Sequence, residues 1–255
     1  MTRTRAALSL LLVALAGSAR AQTMLDQQQR LIDIHDLLLD LPPVEAPGGL
    51  RAGQVSLGIE IIGIPPIDGS TGSKKQITAS DRTPLFPRPR LAVGLPAPEG
   101  FRAFAGLAYI PPFRIREVST HYGAAEAGIA YAPGALVAGL RAHAVYAWSE
   151  SPVTDPNTRD TLRTFAVGAD VSSGYRFMIG PGSVTPYGSV GVSQLGGRFR
   201  VTSDGVVLTS DDTALTLLAG LRLLLRERWE AVAELEVVPA RLVHPSFRIA
   251  YVLAL

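Results

Sequence analysis

His244, Pro245 and Ser246 set an imidazole and a hydroxyl two residues apart, with Glu236 earlier in the chain. If this run is a strand, positions two apart share a face, and a carboxylate on the preceding strand comes close across the hairpin. A histidine that takes a proton from a serine, steadied by a carboxylate, is the arrangement of nucleophilic acyl transfer. Other candidates are few. Asp33 and His35 form an Asp-x-His pair inside a segment of helical period. Asp211 and Asp212 are adjacent, so on a strand they point apart and read as a solvated loop edge. His121 and His143 occur singly, without the spacing of metal ligands, and no Cys/His cluster or phosphate-cradling glycine loop is present. The expectation is therefore no metal and no cofactor.

A larger set of charged residues follows a different rule. Glu60, Arg90, Arg102, Glu126, Arg141, His143, Asp170, Arg176, Arg222, Glu230, Glu234, Glu236 and Arg248 all fall on one parity of segments that alternate in steps of two. The opposite parity carries Val55, Leu57, Ile59 and Ile61, then Leu136, Leu140 and Tyr146, then Leu215, Leu217 and Leu221, without a charge. Strands of this kind have one ionic face and one apolar face. Acids and bases are balanced on the ionic side, which favours ion pairs that fill an interior over an open aqueous channel.

The elements that must hold these faces are strands at about 51–63, 88–97, 101–110, 118–131, 135–149, 160–178, 184–202, 212–225, 228–238 and 244–255. The links alternate in kind. "APEG", "APG", "IGPGS" and "RER" are tight, whereas "PPFRIRE", "ESPVTDPNTRD", "SDGVVLTSDD" and the long run through 66–84 are polar and longer. In 184–202 the facing is irregular, and "QLGGRFR" predicts a bulge at Gly196-Gly197. This rhythm predicts an all-β fold, a closed antiparallel transmembrane β-barrel of about ten strands. Aromatics such as Tyr109, Tyr131, Trp148, Phe177, Trp229 and Tyr251 lie near strand ends, as an interfacial girdle requires.

Ahead of the strands come two further segments. Residues 1–21 combine a basic start, an apolar core and Ala19-Arg20-Ala21, which reads as a secretory signal peptide. Residues 22–47 contain a short amphipathic helix over 23–41 and a linker, with the barrel assigned to 48–255. The 255-residue chain has no cysteine, so export would bring no disulfide framework. Its net charge of +2 and the absence of a basic stripe argue against a nucleic-acid partner.

Signal, alternating strands and closing stretch together resemble a Gram-negative outer-membrane β-barrel protein. That resemblance implies an outer-membrane location, outer-membrane lipid around the wall, and contact with the barrel-assembly machinery during biogenesis. The assembly signal would be Phe247, Ile249, Tyr251, Leu253 and Leu255, with Leu255 standing where Phe or Trp is usual. The His-x-Ser pair with Glu236 resembles the site of outer-membrane lipid A deacylases, although Pro245 interrupts it and the flanking residues do not match. The omptin proteases use Asp pairs with an Asp-His dyad at the outer rim, whereas the Asp-x-His here lies in the N-terminal helix. The expected role is non-enzymatic: a structural or surface component, or a narrow small-solute conduit with an ion-paired lumen. The alternatives are a lipid esterase using His244 and Ser246, an adhesin acting through its extracellular loops, and a soluble lipocalin-like barrel.

Overall fold

Aromatic and branched residues alternating with small or charged ones suit a pleated surface with two unlike faces. In the computed structural model this pattern becomes β1 Gln54–Ile62, β2 Phe86–Leu95, β3 Phe101–Ile115, β4 Val118–Tyr131, β5 Leu136–Ser151, β6 Asp160–Tyr175, β7 Phe177–Ile179, β8 Gly182–Arg200, β9 Val207–Leu225, β10 Trp229–Val238 and β11 Leu242–Ala254. The structure describes residues 44–63, 86–115, 118–151, 157–203, 205–239 and 242–255. The expected signal peptide, the helix over 23–41 and the loop through 66–84 lie outside the described residues.

Chain neighbours pair antiparallel, β1 pairs with β11, and β6 pairs with β8, so the sheet closes on itself. β7 continues β6 beyond Arg176 and also pairs with β8, so the two share one place in the wall. The result is a closed antiparallel barrel with ten wall positions. Both the start of β1 and the end of β11 lie at one end, here called the lower end, where the described links are short. The β9–β10 turn is closed by a bond from the Arg228 amide to the Leu225 carbonyl (3.1 Å) with Arg226 and Glu227 at positive φ. This left-handed pair matches the right-handed twist of the flanking strands.

Three expectations change at the upper end. The ladders of β8 with β6 and with β9 run without a register shift through Gly196 and Gly197, so no bulge forms there. The irregular facing has another cause: Gln194 and Arg198 point outward because β8 continues past the apolar part of the wall into a polar extension. The shift occurs in β3 instead, between Ile110 and Phe113, where Pro111 and Pro112 supply no amide donors to the ladder. "PPFRIRE" is thus mostly strand, not a polar loop. Likewise β9 begins at Val207, within the stretch read as a loop before 212.

The wall is taller on one side. β8 and β9 have 19 residues each and β5 and β6 have 16, whereas β1 has 9 and β2 and β10 have 10. Above the shorter strands the lumen is filled by apolar side chains, including Ile62, Ile110, Tyr122, Val145, Leu195 and Val238. Lower down, the segment ahead of β1 turns into the barrel. Residues 44 and 46–50 are buried, with Leu50 against Ala92 and Val252 near the lower end, and Val44 and Ala46 deeper, against Tyr187 and Val232.

Candidate functional site: the lumen and its strap

The strap is short on side chains and rich in bends. Gly48 and Gly49 take φ of 109° and 47°, a left-handed region that residues with a Cβ avoid, and this turns the backbone up the lumen. The Gly48 carbonyl accepts from Arg102 Nη1 at 3.0 Å, and the Val44 amide donates to Glu60 Oε1 at 2.9 Å. Between these ties Glu45 reaches the centre. Its Oε2 accepts from Arg90 Nη2 at 2.6 Å and from Arg248 Nη1 at 2.8 Å. The strap therefore joins β2 to β11 through one carboxylate.

Around Glu45 the wall supplies a continuous ionic layer. Arg88 meets Glu60 through both Nε (2.6 Å) and Nη2 (2.5 Å), and donates to the Tyr122 hydroxyl at 2.5 Å. Arg90 bonds Glu126, through Nε at 2.7 Å and through Nη2. Arg141 Nε donates to Asp170 Oδ2 at 2.7 Å, and its Nη1 lies 3.6 Å from Glu126. On the other side Arg222 holds Glu230 through Nε (2.9 Å) and Nη2 (2.5 Å), and Arg248 bonds the same carboxylate. Five arginines meet five carboxylates here, all but Glu45 buried as whole residues. A desolvated ion costs several kcal/mol unless it is paired and hydrogen-bonded. Balance is therefore a condition of this interior's existence.

Glycines set the reach of these pairs. Glu126 lies across Gly106 of the neighbouring strand towards Arg90, and the Tyr187 ring lies across Gly220 to donate to Glu234 Oε1 at 2.5 Å. A Cβ at either glycine would occupy the crossing side chain's place. Arg102 and Arg176 sit lower, beside the strap, near Gly49 and Gly48. The cavity beside Glu45–Gly49, lined also by Phe104, Arg141 and Asp170, is small, about 10 Å³. That is at or below the volume that admits one water molecule, roughly 10–15 Å³.

His244, Ser246 and Glu236 all face this lumen and are buried. His244 Nε2 lies 3.5 Å from Glu236 Oε1, across the β10–β11 pair as the hairpin register requires. The Ser246 hydroxyl donates to Glu234 Oε2 (3.4 Å). Neither ring nitrogen of His244 makes a hydrogen bond among the described residues, so imidazole and hydroxyl are not joined. His143 neighbours Ser193 (3.3 Å) and Asp170 (3.8 Å). Among the described residues no cluster of three or more His, Cys, Asp or Glu could hold a metal ion.

Two members of the ionic layer escaped the sequence reading. Arg88 shares parity with Arg90, but Pro87 and Pro89 flank it and place it at the margin of the expected strand. β2 bears these prolines because its ladder to β3 starts only at Arg90, leaving residues 86–89 paired on one side. Glu45 lies in "PPVEAPGG", a composition that signals a linker. Nothing local to that string announces that its carboxylate lies among arginines.

The outer surface completes the site's setting. Leu57, Ile59, Leu107, Leu140, Val167, Val171, Leu217, Leu221, Leu235 and Ile249 are all exposed on it, and the band they form carries no charged residue. Ring pairs mark its lower margin: Phe101 with Tyr131 (5.0 Å between centroids), Tyr175 with Phe177 (4.9 Å), and Trp229 with Tyr251 (4.9 Å). At its upper margin His121 stacks on Trp148 at 4.9 Å. Along β4, from Tyr131 to His121, the band runs about ten residues, or ~34 Å of strand. At a tilt of about 40° that is ~26 Å of height, close to the ~25 Å apolar band of a barrel in lipid.

This is a transmembrane β-barrel. No family model matches the chain, and no curated protein matches it. Similar solved structures include the translocator domain of autotransporter NalP from Neisseria meningitidis, at 12% identity, covering 89% of this chain and 95% of that one, with a TM-score of 0.49. The attachment invasion locus protein Ail of Yersinia pestis is similar at 11% identity over 80% of this chain and 100% of that one, TM-score 0.33. The toluene transporter TodX of P. putida is similar at 14% identity over 81% and 71%, TM-score 0.34. These likenesses assign the barrel no task, and the architecture rests on its own strand pairing and facing.

Proposed function

We propose that the chain is an outer-membrane protein whose barrel serves as a non-enzymatic membrane anchor with a lumen occluded by its own strap. The observation that carries this reading is Glu45, held between Arg90 and Arg248 where a conduit would have to pass. Apolar filling above and the ionic layer below support the same conclusion. The short turns and both strand ends at the lower end would face the periplasm. The alternating residues Phe247, Ile249, Tyr251 and Leu253 would offer the barrel-assembly machinery an edge to read. Catalysis by His244 and Ser246 is disfavoured because both face inward, behind the wall, where lipid acyl esters have no access.

A small-solute conduit remains the second reading in one form: the strap would be a gate, since few polar ties hold it. Planar-bilayer recordings on purified, refolded protein test both. The anchor reading expects no discrete conductance steps from the native chain, refolded to the heat-modifiable mobility of a folded barrel. Regular opening of the native chain would overturn it and favour the gate.

A further inference from the structure

Among the described residues, three strand arginines are exposed on the outer face of the wall. Arg163, Arg198 and Arg200 are exposed on the outward parity of β6 and β8, just above the apolar band, in the polar extension that makes this side taller. The strand register aligns His121, Trp148, Arg163 and Arg198 as neighbours across four consecutive wall strands, with Glu150, Thr161 and Arg200 aligned two residues further up. Arg163 leans over the Trp148 ring at 5.8 Å. Together with Thr202 these residues, His121 excepted, line an outward groove of about 400 Å³ that holds three arginines and one glutamate.

Arg163 and Arg198 are directly opposed across the β6–β8 ladder, an arrangement of like charges that destabilises a sheet unless something negative lies between them. Nearby carboxylates are Glu150 in the groove and Asp211 on β9, which accepts from Gln194 Nε2 at 2.5 Å. Immediately below, Tyr146 and Phe165 are cross-strand neighbours at the top of the band, and Val167 and Val192 continue downward as exposed apolar surface. Cations above and aliphatic surface below match an anionic headgroup with acyl chains descending from it. A free phosphate would use only the upper half.

We propose that this ledge binds the phosphate groups of a phosphorylated glycolipid in the outer leaflet, with Arg163 and Arg198 bridged by one phosphate and Arg200 beside them. The proposal rests on the membrane reading above. Guanidinium groups suit the role because they fork onto phosphate oxygens.

The test uses the full refolded barrel in nanodiscs containing diphosphorylated lipid A or its dephosphorylated counterpart, with insertion scored first by heat-modifiable mobility. Bound lipid is then counted by native mass spectrometry after transfer to detergent. The triple variant Arg163→Ala, Arg198→Ala, Arg200→Ala is expected to retain about tenfold less diphosphorylated lipid than the native chain, with no difference for the dephosphorylated one. Arg51→Ala, at the lower rim, should leave retention unchanged. Equal retention by an inserted triple variant overturns the proposal alone. Failure of the native chain to insert in either disc overturns the membrane reading and the proposal with it.

Discussion

Inside this barrel Arg88 and Arg248 are 0% and 1% exposed, whereas outside it Arg163, Arg198 and Arg200 stand in the open above the apolar band. The same side chain thus meets two solvents. Within the ionic layer burial desolvates the side chains, so each of its five guanidiniums is matched to a carboxylate on a neighbouring strand or on the strap, and the pairs define the packing. On the ledge, solvent or lipid phosphate can carry the balancing charge, and the arginines gather on adjacent strands. Position relative to the wall thus decides what balances an arginine's charge.

The inner pairs are the more fragile of the two sets. Glu60→Ala would strand the Arg88 guanidinium at 0% exposure and remove the acceptor of the Val44 amide. The expected loss is about 3–5 kcal/mol, read from urea unfolding in lipid vesicles followed by tryptophan fluorescence. An unchanged midpoint would mean that water reaches Arg88. Placing a new arginine in the band is the next largest effect. Leu221→Arg, half exposed to lipid, is expected to cost about 2–4 kcal/mol, whereas Gly134→Arg, in the exposed turn below the band where an added Cβ meets nothing within 4 Å, should shift stability by less than ~0.5 kcal/mol. Equal costs would deny a lipid boundary between them.

Glu45→Gln is subtler, because Arg90 and Arg248 keep Glu126 and Glu230 as partners. A loss of about 1.5–3 kcal/mol, the range for hydrogen bonds to charged groups, should accompany faster hydrogen exchange at Val44 and Ala46, with strand amides unaffected. The smallest effect belongs to Arg198→Ala. Stability should stay within ~0.5 kcal/mol of the native chain, and relief of its repulsion with Arg163 can even raise it slightly.

Much of the wall was legible because lipid and lumen impose opposite chemistry on successive residues. Arg141 and Asp170, Arg222 and Glu230 could be assigned to the inner face from parity alone, and Leu57, Leu140 and Leu217 to the outer face. The tight lower turns were legible too, since "APEG" and "RER" leave the chain little room. What parity misread lies where a second rule intervenes. Gln194 and Arg198 look like a facing error until β8 is seen to outlast the band, and Pro111-Pro112 looks like a loop although the strand continues past it.

By itself, then, the sequence determined the two faces, the antiparallel order and the absence of charge on the apolar band, because a period of two is written into adjacent residues. Only the closed barrel decided which arginine meets which carboxylate, since partners such as Glu45 and Arg248 are 203 residues apart. It also decided that a proline- and glycine-rich segment enters the lumen, that Gly106 and Gly220 clear a path for Glu126 and Tyr187, and that His244 and Ser246 are not joined. These outcomes depend on register and curvature, which set neighbours across strands, and no local pattern along the chain encodes them.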